Sequence, residues 1–191
     1  TAINGGSVTT TGTQTYNGAV TLGADTTLSG TTINTGSTVD GGGYSLTVTG
    51  NADVDGDISN VNVLSVSGTS NLGANITTTG TQTYNGAVTL GADTSLTTTN
   101  SLVWFKSTVG NSSARALTIS SGTGGVTFAN TVGASTALGA ISISGSGTTT
   151  FSGAVTAASL SSGTGTTAIN GGSVTTTGTQ TYNGAVTLGA D

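Results

Sequence analysis

Along this chain apolar side chains come in short alternating runs, each closed by glycine or asparagine. The runs SLTVTGNADV (Ser45–Val54), VLSVSGTSNL (Val63–Leu72), TQTYNGAVTL (Thr81–Leu90) and AISISGSGTTTF (Ala140–Phe151) share this rhythm. Alternation puts successive side chains on opposite sides of an extended backbone, so each run reads as a half-buried strand followed by a turn. The first three start at Ser45, Val63 and Thr81 and are evenly spaced. No segment of helical length carries apolar residues at three- and four-residue spacing. Each glycine inside a helix would also cost about 1 kcal/mol, and the chain has 33. The predicted elements are therefore strands.

The strands belong to a larger period. Residues 1–25, TAINGGSVTTTGTQTYNGAVTLGAD, return unchanged as residues 167–191. Residues 1–166 are thus one full repeat and 167–191 the start of the next, which is the signature of a solenoid or array rather than a globule around one pocket. The shorter phrase TTTGTQTYNGAVTLGAD stands at Thr9–Asp25, Thr77–Asp93 and Thr175–Asp191. Its copies are unevenly spaced, as expected of a long period built by duplicating smaller units.

Composition then separates two all-β architectures. Charged residues are 5% of the chain, the net charge is −5, and there is one Trp and three Phe. A sandwich must fill a gap of about 10 Å between its sheets with large side chains, and this chain has few. A β-helix encloses a narrow interior that Val, Ile, Leu, Ala and Thr can fill, while turns about 4.8 Å apart bond main chain to main chain. Stacked threonines suit its outer faces. At roughly 18 to 21 residues per turn, one repeat makes about eight or nine rungs, or roughly 40 Å of rod. Asn17–Gly18, Asn85–Gly86 and Asn183–Gly184 also fit a two-residue antiparallel hairpin. The same dipeptide serves at a β-helix corner, with Asn or Gly in a left-handed conformation. Repeats extending well beyond one turn favour the corner.

The Thr/Ser/Gly/Asn-rich rungs and phrases such as LTVTGNADVDGDISN, VLSVSGTSNLGANITTTGTQTYNGAVTL and TTFSGAVTAASLSSGTG resemble the repeat regions of filamentous-haemagglutinin-like proteins. The resemblance covers essentially the whole chain. It implies a right-handed parallel β-helix, in an extracellular or surface fibre or adhesin stalk of a Gram-negative bacterium. Absence of Cys agrees with export, and no run approaches the roughly 18 apolar residues of a membrane helix. With Thr1 in place of Met, a targeting segment is expected upstream.

Chemistry is scarce. Without His, Cys or Glu, a serine nucleophile lacks its usual base and a zinc site its usual ligands, so the expectation is no enzyme, no catalytic residue and no cofactor. Asp53, Asp55 and Asp57 stand at alternate positions and form a weak Ca²⁺ candidate, since calcium takes six to eight oxygen ligands. Ile58 and Leu64 replace the Gly and Glu of an EF-hand loop, and an acidic outward edge is the plainer reading. Ser101–Thr118 holds the only Trp, the only Lys and the only Arg. There Trp104, Phe105, Lys106 and Arg115 offer a lateral contact with another fibre, since aromatic and basic groups are enriched at binding hot spots. Plain alternation instead turns Val103 and Phe105 inward, with Trp104 and Lys106 outward. The threonine triplets at Thr9–Thr11, Thr77–Thr79, Thr97–Thr99 and Thr148–Thr150 raise ice binding, but their spacing is uneven. Two cations against seven Asp disfavour nucleic acid.

The sequence thus predicts an all-β, right-handed parallel β-helix whose partners are neighbouring repeats of its own chain and other copies of the fibre, laterally or end to end. Its expected role is mechanical, in cell-cell, surface or matrix attachment. The alternative from another fold class is a tandem array of antiparallel sandwich spacer domains.

Overall fold

The computed structural model describes residues 1–189; Ala190 and Asp191, which close the second copy of the repeat, lie outside the described residues. Within that span every regular element is a β-strand. Every strand pairing is parallel. The strands stack in about ten turns of a β-solenoid. The antiparallel sandwich is thereby overturned, and so is the hairpin reading of the Asn–Gly dipeptides: Gln82–Tyr84 and Val88–Leu90, which flank Asn85–Gly86, each pair with other turns and not with one another.

Following the registers from turn to turn resolves three faces. On the first, the inward ladder runs Val20, Val39, Ile58, Ile76, Leu96, Ile119, Ile143. On the second it runs Val48, Val66, Tyr84, Phe105, Phe128, Phe151, Ile169. On the third it runs Gln14, Ile33, Ala52, Ser70, Val88, Val109, Val132, Val155, Val174. The chain visits the faces in that order. Two long strands, Thr26–Thr35 and Leu46–Val54, round the corner between the second and third faces without a break.

Like packs on like along these ladders, which solves the shortage of bulky residues. Aliphatics of similar size fill the interior layer by layer. Four of the eight aromatic rings are collected in one place. Tyr84, Phe105, Phe128 and Phe151 stack in successive turns with centroids 5.2, 4.9 and 5.1 Å apart and planes within 12° of parallel. All four are fully buried. Each such contact contributes about 0.5–1.5 kcal/mol beyond burial of the ring.

Turn length varies while the ladders hold. Ser65 and Thr83 are direct neighbours, as the even spacing of the sequence runs predicts. Trp104 and Thr127, which stand further apart in the sequence, are neighbours too. The longer turns place their additional residues in the bends at 112–116 and 133–137, between the third and first faces.

The corners fall where the Asn–Gly dipeptides predict, but for a different reason. None of Asn17, Asn85, Asn183 and their following glycines has a positive φ; the left-handed non-glycine residues are Asn60 and Asn100. What the corner demands is close approach. Gly12, Gly30, Gly50, Gly68 and Gly86 lie above one another at the second-to-third corner. There the Gly68 N–H donates to the Gly50 carbonyl at 2.9 Å. A Cβ on Gly68 would sit 2.6 Å from that same oxygen.

Gly68→Ala is therefore expected to destabilise the rod by on the order of 1–3 kcal/mol, since a backbone oxygen cannot be repacked aside. Gly110 has a negative φ and no neighbour within 4 Å of a built Cβ. Gly110→Ala should leave stability within about 0.5 kcal/mol of the parent. Urea unfolding of the two variants side by side checks the contrast.

Candidate functional site

Alternation in Val103–Phe105 turns the middle residue out and its neighbours in. Val103 and Phe105 are buried, and Trp104 stands on the outer surface of the second face with 36% of its area exposed. The outward ladder through it reads Thr47, Ser65, Thr83, Trp104, Thr127, Thr150. Trp104 thus interrupts a single column of hydroxyls. Lys106, at the start of the next corner, folds back so that its Nζ lies 4.3 Å from the Trp104 ring centroid. At an exposed site such a cation–π contact is worth about 0.5–1 kcal/mol.

The other two residues of the predicted contact lie elsewhere. Phe105 belongs to the aromatic stack and supplies no surface. Arg115 is half-buried in the bend between the third and first faces, whereas Trp104 is on the second. The surface patch is Trp104 with Lys106.

The three alternate carboxylates are also divided. Asp53 is on a strand of the third face and its Oδ1 accepts from the Asn71 Nδ2 of the following turn at 2.8 Å. Asp55 and Asp57 are already on the corner, and Asp57 Oδ1 accepts from the Asn75 N–H at 2.9 Å. Among the described residues no three His, Cys, Asp or Glu side chains converge as a metal-holding group.

That Asp57 bond is one case of a general corner device. Asp25, Asn75 and Asp93 close Leu-Gly-Ala-Asp or Leu-Gly-Ala-Asn phrases, and each accepts the N–H of a residue one turn later: Ser45, Ser95 and Ala116, at 2.8 to 2.9 Å. Asp40 accepts both within its own corner and from the following turn. The Gly42 N–H and the Asn60 amide both donate to it and hold its carboxyl below the usual carboxylate value. The acidity of this chain is largely an inventory of corner acceptors.

A second polar device lies inside. Gln82 and Tyr84, two apart on one strand, both point inward and are fully buried. The Tyr84 hydroxyl donates to Gln82 Oε1 at 3.2 Å. Gln82 Nε2 donates to the Ile76 carbonyl at 3.3 Å and the Thr97 carbonyl at 2.9 Å, tying one turn to the next. Burial pushes the Tyr84 phenol far above its ordinary value, which keeps it a neutral donor. Gln14–Tyr16 and Gln180–Tyr182 form the same bond at 2.8 and 2.9 Å. The sequence signal for it was Gln and Tyr at inward positions of a period-two strand, a place where polar groups need partners.

An open groove of about 310 Å³ lies on the third face, between the two long bends. Thr89, Thr108, Asn111, Thr131 and Ser135 contribute to its lining. It offers hydroxyls and amides. No protein-family model matches this chain, and neither does any curated protein or solved structure.

Gln82→Leu strands the Tyr84 hydroxyl in the core and should cost about 2–3 kcal/mol, because an unsatisfied buried polar group carries its full desolvation penalty. Adding Tyr84→Phe should recover part of that loss, since removing both partners is milder than removing one. Thermal unfolding of the single and double variants measures the difference.

Proposed function

We propose that this chain is a structural module of a long extracellular fibre or adhesin stalk, in which tandem copies form one continuous rod. The observation that carries this reading is the join between copies. Residues of the second copy, from Thr167 onward, stack on the first as any other turn does, with Thr167 on Thr149, Ile169 on Phe151, Val174 on Val155 and Gln180 on Leu160. Among the described residues no linker or change of ladder marks the boundary. A unit of this kind extends by adding turns, and each turn covers the unpaired edge of the last, a row of backbone donors and acceptors that would otherwise recruit other chains.

The mechanism is load carried through main-chain hydrogen bonds that run parallel to the rod axis. Inward aliphatic ladders, the aromatic stack and the Gln–Tyr ties keep successive turns in register. A rod of this sort suits attachment between cells, or of cells to a surface or matrix. The resemblance to filamentous-haemagglutinin-like repeats supports secretion to the surface of a Gram-negative bacterium. The exposed Trp104–Lys106 pair serves as a lateral contact with a second copy of the fibre, whose net negative charge complements that of Lys106.

Two measurements test this. Electron micrographs and fibre diffraction of the tandem material should show unbroken rods with an axial reflection near about 4.8 Å; separate beads would sink the proposal. Replacing Trp104 and Lys106 with Ser should loosen lateral bundles without lowering the unfolding temperature by more than a few degrees. Unchanged bundling would remove the patch from the account.

A further inference from the structure

The phrase TTTGTQTYNGAVTLGAD occurs three times, and each copy lies on a different face. Its Gln-Thr-Tyr strand is on the third face as Gln14–Tyr16, stacked with Ile33–Thr35. It is on the second face as Gln82–Tyr84, between Leu64–Val66 and Val103–Phe105. It is on the first face as Gln180–Tyr182, stacked with Leu160–Ser162. In all three places the tyrosine hydroxyl bonds the glutamine two residues before it. The glutamine in turn bonds the carbonyl six residues earlier. The phrase is therefore a unit of strand and corner, to which the three sides of the rod are equivalent.

Counting turns gives the phase of the long repeat. The third-face ladder climbs from Gln14 through Ile33, Ala52, Ser70, Val88, Val109, Val132 and Val155 to Val174, which is eight turns. Gln180, the counterpart of Gln14 in the next copy, lies one face further on. The long repeat thus closes after eight turns and one face, not after a whole number of turns.

We infer that each copy in a tandem array is rotated by about a third of a turn relative to the copy before it, so that every lateral feature is displayed in three directions in succession. At the usual inter-strand rise, copies follow one another every ~40 Å, and a given side returns after three copies, about 25 turns or ~120 Å. The Trp104–Lys106 pair then winds around the fibre as a sparse spiral. A fibre so decorated meets neighbouring copies of itself on all sides and packs as a three-dimensional net, where an in-phase repeat would line its contacts along one edge and pack as a ribbon. This inference rests on the proposed tandem fibre, and the test separates the two.

The chain contains no cysteine, so introduced pairs report unambiguously. Ser161 and Thr181 are direct neighbours on the outer surface of the first face. In this chain, Ser161→Cys with Thr181→Cys should crosslink nearly completely under mild oxidation, and Thr156→Cys with Thr181→Cys should not. The reverse result places the second copy on the third face, in phase with the first, and overturns the inference. Three tandem copies of residues 1–166, carrying Trp104→Cys with a gold label, extend the test by electron microscopy. Labels separated by the length of one copy that step around the rod by about a third of a turn support it. Labels in one straight line overturn it and leave the rod standing, whereas separated beads overturn the fibre itself.

Discussion

The close approach of one turn's backbone to the next is the constraint on which this structure depends. Parallel strands must sit at hydrogen-bonding distance not only along the faces but around the corners, as the Gly68 N–H to Gly50 carbonyl bond demonstrates. A side chain at the corner would hold the turns apart there and break the ladder on both sides of it. Glycine columns at the corners are therefore as necessary to the rod as its apolar interior, and they account for much of the glycine in the chain. At other corners Asp25, Asp57, Asn75 and Asp93 accept an N–H of the turn above, while the Asn85 and Asn183 amides donate to a carbonyl of the turn below.

Stacking also explains how so plain a composition suffices. Each inward position matches the position above and below it, so a run of valines or isoleucines packs on itself, and the three ladders close one shared core. The four large rings are arranged by the same rule, in one column of the second face. Some polar groups that face inward satisfy one another within a strand or across one turn, whereas the buried Ser70 hydroxyl has no partner among the described residues. Gln82 with Tyr84 does both, and so couples side-chain packing to the main-chain ladder.

The fold class was legible because the period-two runs, their even spacing and the lack of bulky side chains all exclude helix and sandwich together. The stacked residues Leu46, Leu64 and Gln82 fall at that spacing. Turn length past Tyr84 was not legible, since residues added in a bend leave no trace in the alternation of the strands. The corner glycines were assigned to the right places for the wrong cause: a dipeptide reveals a bend but not whether it needs an unusual φ or only the absence of a Cβ. At the candidate contact, alternation placed Trp104 and Phe105 on opposite sides. It had no means of placing Arg115, whose face depends on how many residues the preceding bend absorbs. The three Asp likewise looked like one edge because a strand was assumed to continue past Val54, where the chain in fact turns.

Indifference of the strand-and-corner phrase to which side it occupies bears on heredity as well as on mechanics. Exchange between two stretches of the gene that encode the same residues, such as Thr9–Asp25 and Thr77–Asp93, would delete or insert every codon from the start of one to the start of the other. A globular domain would be wrecked by such an event. Here the shortened or lengthened product keeps the alternation of extended segment and bend across the splice, and later residues merely move to an adjacent side. The length of the rod is thus free to drift by recombination, with the reading frame as the chief requirement.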